Sequence, residues 1–103
     1  MDPFVRKLVL RLLDEGRPLS RNRHFHTFES PEGKRAMRIS KRLRALQKDI
    51  ELCRHEGSEP AVRRETSDEG DVKIEITLEH LKSRRLTTLD EAEFELLGRL
   101  VKI

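Results

Sequence analysis

Residues 72–79 read Val72-Lys73-Ile74-Glu75-Ile76-Thr77-Leu78-Glu79. Apolar and polar side chains alternate without a break, so an extended chain would be aliphatic on one face and polar on the other. This is the clearest strand signal in the sequence, and it makes the expected fold α+β rather than all-helical. A strand needs a partner, and the nearest is Ala61 to Thr66, followed by the glycine-containing turn Ser67-Asp68-Glu69-Gly70-Asp71. A small β-hairpin over about 61–79 is therefore expected. His24 to Phe28, or the equivalent strand of a second copy, would serve as rival partners.

The segments on either side read as helices. Asp2 and Pro3 look like an N-cap and a first-position proline. Val5, Leu8, Val9, Leu12 and Leu13 then recur at helical spacing up to Gly16, predicting a helix over about 3–15. Residues 16–29 read as a loop. Ser30 and Pro31 open a second helix, about 31–55, whose apolar seam is Ala36, Ile39, Leu43, Leu46, Ile50 and Cys53. Met37 and Leu52 lie off that seam. An antiparallel pairing of these two helices would bury both stripes. Thr88-Leu89-Asp90-Glu91 has the form of a capping box and predicts a last helix over about 89–101, with Leu89, Ala92, Leu96 and Leu100 on one face. The expected fold is thus α+β, mainly helical, in a single small domain spanning 1–103.

With 35% hydrophobic and 40% charged residues among 103, the supply of core side chains is thin. A chain of this size buries only about two thirds of its unfolded surface. Help from a second copy or another partner is consistent with that shortage. The single Cys53 excludes an internal disulfide framework and suits a reducing cytoplasm. The N-terminal stretch does not read as a signal peptide, and no run reaches the roughly 20 apolar residues of a membrane span.

Charge is distributed unevenly. Between Arg17 and Lys48 there are ten basic residues against Glu29 and Glu32, a net +8, whereas residues 49–103 carry 9 basic and 14 acidic side chains. Clustered like charge costs self-repulsion unless an anion meets it. The candidate binding residues follow from this. Lys34, Arg35, Arg38, Lys41 and Arg42 form a basic face on the second helix. Arg21, Arg23, His24, Phe25, His26 and Phe28 gather charge and rings in the preceding loop, where Phe and Arg suit interface anchors.

The same residues also fit a solvated face partly paired with the acidic second half. They fit phosphate contacts as well, because regularly spaced cations on a helix release counterions from nucleic acid. The scarcity of aromatic rings for stacking and the lack of a nucleic-acid module argue against that use. His24 and His26, or Cys53 and His55, lack the spacing of a zinc site. No phosphate loop, nucleophile elbow or zinc-protease helix is present. The expected function is a small cytoplasmic adaptor or regulatory protein, neither enzymatic nor cofactor-dependent. Its partner would be another protein with an acidic surface; nucleic acid is the second reading, and a homodimer is compatible with either.

Overall fold

The computed structural model describes residues 1–15, 29–80 and 83–103. The fold is α+β, about 52% helical and 26% strand, with three helices and a three-stranded antiparallel sheet among the described residues. The helices are α1 (Pro3–Glu15), α2 (Pro31–His55) and α3 (Glu91–Leu97); the strands are β1 (Ala61–Thr66), β2 (Val72–His80) and β3 (Ser83–Asp90). The chain divides into two compact units, Met1–Arg44 and Ala45–Ile103, with α2 contributing to both.

In the first unit, Asp2 caps α1 as its sequence suggests. Its Oδ1 accepts from the backbone N–H of Phe4 at 2.7 Å and of Val5 at 3.3 Å. The stripe Val5, Leu8, Val9, Leu12 and Leu13 is buried, as are Ala36 and Leu43 of α2. α1 has no basic residue in its own last turn. Arg44 of α2 supplies one, donating from Nη2 to the carbonyls of Leu12 at 3.2 Å and Leu13 at 2.9 Å. Those carbonyls lie at the end of the helix and have no partner inside it, and the negative pole of the helix favours a cation there.

The buried line of α2 differs from the expected seam at one step. Ser40 is buried, and Ile39 is only half-buried. The hydroxyl of Ser40 donates to the Met37 carbonyl at 3.0 Å, which meets its hydrogen-bonding need within its own helix and lets a polar residue take a core position.

The second unit carries the sheet, in the order β1-β2-β3. β1 pairs with β2, so the hairpin forms within the chain. Ile74, Ile76 and Leu78 face inward and are buried, while Lys73 is exposed and Glu75 half-buried. α3 lies against β2 and β3. Leu46, Ile50 and Cys53 of α2, Leu89 of β3, and Leu96, Leu97 and Val101 complete the buried set. Two polar links tie this part of α2 to its surroundings: Arg85 donates to Asp49 at 2.6 Å, and Gln47 to the Leu100 carbonyl at 3.1 Å. α2 ends where Gly57 takes φ of 87°. There the N–H of Ser58 reaches the Cys53 carbonyl and that of Gly57 the Arg54 carbonyl, a closure that needs a left-handed residue.

The C-terminal region departs from the sequence reading. Residues 83–90 form a third strand, and the last helix begins at Glu91 rather than Leu89 and ends at Leu97. Its cap is Asp90, whose Oδ1 accepts from Glu93 N–H at 2.7 Å while Glu93 Oε1 accepts from Asp90 N–H at 3.1 Å. The sequence holds two overlapping capping boxes, Thr88 with Glu91 and Asp90 with Glu93. The second is used because Leu89 pairs with Ile74 in the sheet and is buried there, 1% exposed. Beyond Gly98 the chain continues in turns, which still bury Val101.

Candidate functional site

The basic face stands on the first half of α2. Ser30 caps this helix through Oγ, which accepts from Gly33 N–H at 3.0 Å, and Pro31 and Glu32 occupy the first turn. Burial of Gly33, Ala36, Ser40 and Leu43 on one side fixes the rotation of the helix. At 3.6 residues per turn, Lys34, Arg38 and Lys41 fall on the opposite side, with Arg35 and Arg42 on its flank. All five are exposed.

Met37 sits among them, 37% exposed, and together with Lys34, Arg38 and Lys41 it lines a shallow groove. An apolar and polarizable side chain bordered by cations can cover the apolar part of a ligand while the cations meet its charges. Among the described residues, Lys34, Arg35, Arg38 and Lys41 make no ion pair or side-chain hydrogen bond. The face therefore repels itself. Lys34 with Arg38 four residues on, and Arg38 with Lys41 three residues on, are like charges on neighbouring turns, and such a pair costs about 0.2–0.5 kcal/mol in a helix.

Arg44, also of the basic segment, is half-buried and serves the carbonyl end of α1 instead. Met37 was not among the candidates the sequence suggests, because it is not charged and lies off the seam. Its spacing from Lys34 and Lys41, three and four residues, was the available signal. In the second unit α2 exposes a different surface. A shallow depression there is lined by Lys48, Glu51, Leu52 and His55, in which Leu52 is 53% exposed and the charges are mixed.

The loop candidates Arg21, Arg23, His24, Phe25, His26 and Phe28 lie outside the described residues. Cys53 is fully buried, with Sγ 3.6 Å from the Glu79 carbonyl oxygen. Among the described residues no group of three or more His, Cys, Asp or Glu side chains could hold a metal ion. No described helix is long and apolar enough to cross a membrane. No protein-family model, curated protein or solved structure significantly matches the chain.

Proposed function

We propose that this protein is a non-catalytic adaptor or regulatory protein that binds an acidic protein segment through the exposed cationic face of α2. The observation that carries the reading is the group Lys34, Arg35, Arg38 and Lys41, three of which border Met37, all exposed and without ion-pair partners among the described residues. A helix that keeps such repulsion gains when carboxylates arrive, and the long-range field speeds their arrival. An apolar Met37 at the border of the face favours a protein ligand, whose own apolar side chains would cover it. A cytoplasmic location fits the single cysteine, which has no second cysteine to pair with.

The test compares the native chain with the Lys34→Glu, Arg38→Glu, Lys41→Glu triple variant. Each is used to capture partners from a nuclease-treated cytoplasmic extract, and binding kinetics follow on whatever is captured. The expected result is a captured protein lost with the triple variant, chiefly through a slower on-rate. Capture that disappears on nuclease treatment supports nucleic acid instead. In that case binding to a duplex oligonucleotide should fall with a log–log salt slope of about −3.6 for four phosphate contacts. Equal capture by both proteins overturns the proposal.

A further inference from the structure

The sheet has two edges, and they differ. β3 carries Arg84 and Arg85 with no acidic residue before Asp90, whose carboxylate is occupied in capping α3. A second strand laid on that edge would meet two adjacent arginines, Arg84 and the Asp49-paired Arg85, with no acidic side chain of β3 beside them, and such charges are a common guard against edge pairing. β1 carries Arg63 and Arg64 but also Glu65, and it is exposed on both sides of the sheet. Its register shows this directly. Val62 sits opposite Ile76 on the inner face, yet Val62 is 43% exposed while Ile76 is fully buried. α3 lies against β2 and β3, and its link to β1 is the Arg64–Glu91 pair at the sheet's end.

We infer that β1 pairs antiparallel with β1 of a second copy, about a two-fold axis at Arg64, joining the two three-stranded sheets into one. The register follows from charge. A continuous sheet requires inner residues opposite inner residues, so only every second alignment is allowed. Centring on Arg63 or on Glu65 sets that residue against its own counterpart on the outer face and forgoes both Arg63–Glu65 contacts between copies. Centring on Val62 leaves half of the strand, Arg64 to Thr66, unpaired.

Centring on Arg64 sets Arg63 of each copy opposite Glu65 of the other, twice, on the outer face. On the inner face Val62 meets Thr66 of the second copy. Arg64 meets its own counterpart, but each Arg64 already donates to Glu91 at 3.0 Å in its own chain. The exposed edge groups of both strands gain hydrogen-bond partners. So short an edge makes a weak, concentration-dependent dimer. Because the contact is isologous, it closes at two copies. The inference is independent of the α2 face.

The test measures the mass of the full-length protein across a concentration range by sedimentation equilibrium and native mass spectrometry. The samples are the native chain, Arg63→Glu, Glu65→Arg, and a mixture of the two variants. Both side chains are exposed, 74% and 42%, so the fold should tolerate the changes, which circular dichroism verifies. The native chain should show a monomer–dimer equilibrium. Either variant alone turns two attractive contacts into two repulsive ones and should weaken it about tenfold. The mixture should restore a one-to-one heterodimer, although neither chain in it regains its own Arg63–Glu65 pair. A native chain that stays monomeric at its highest soluble concentration overturns the inference. So does a ladder of larger species, dimerisation unchanged in the single variants, or a mixture that fails to form the heterodimer.

Discussion

The cations of α2 and the cations of the sheet are treated differently by the fold. Around the sheet Arg63, Arg64, Lys73 and Arg85 each have a carboxylate partner at 2.6–3.4 Å. On the first half of α2 Lys34, Arg35, Arg38 and Lys41 have none among the described residues. The acidic second half of the sequence is thus partly engaged within its own unit. The near-neutral total of +3 conceals a basic surface that local pairing does not quench. Exposed pairs of the sheet kind contribute little to stability, about 0–1 kcal/mol each. The contrast therefore bears on where an anion can land more than on what holds the protein together.

The contrast can be broken at its base. Leu43 is fully buried beneath the cationic face. Leu43→Asp should cost about 5 kcal/mol or more, comparable to the whole stability of a small domain, and leave an unfolded or aggregated product. An unchanged melting curve by circular dichroism would show that α2 is oriented otherwise, with its cations no longer a common face.

A smaller effect separates a structural cation from the exposed ones. Arg44→Ala removes the donor to the Leu12 and Leu13 carbonyls and should destabilise by about 1–2 kcal/mol in urea titration. Arg38→Ala, from a position with no such partner among the described residues, should stay within about 0.5 kcal/mol. Equal losses would erase the distinction between the two kinds of arginine.

The smallest effect tests the acidic side of the comparison. Asp90→Ala should cost about 1 kcal/mol through loss of the α3 cap. Thr88→Ala should cost less, since Thr88 is not the cap. The reverse order in thermal unfolding would restore the helix start suggested by the first capping box.

These elements also show what can be read from a sequence and what cannot. β2 was legible because its alternation is complete and its inner residues are all aliphatic. α1 and α2 were legible in extent because caps, prolines and Gly57 mark their ends. β3 was not. In Ser83–Asp90 only Leu86 and Leu89 are apolar, and they fall on opposite faces of the sheet, opposite Thr77 and Ile74 respectively. No period-2 signal survives that arrangement, and β3 forms on the edge of β2 that β1 leaves open. Ser40 was missed for a related reason, since its burial depends on a hydrogen bond to its own helix that composition does not reveal. The basic face itself was legible residue by residue. The place of Met37 at its border required the rotation of the helix, which only the buried side fixes.

Cys53 gives the second unit a built-in clock. It is the only sulfhydryl in the chain, and its side chain is sealed behind the inner face of the sheet. A thiol reagent can reach it only when that unit opens, so the rate of labelling counts opening events without any engineered probe. Read beside a global melting curve, this clock reports whether the second unit breathes alone or only when the whole protein unfolds.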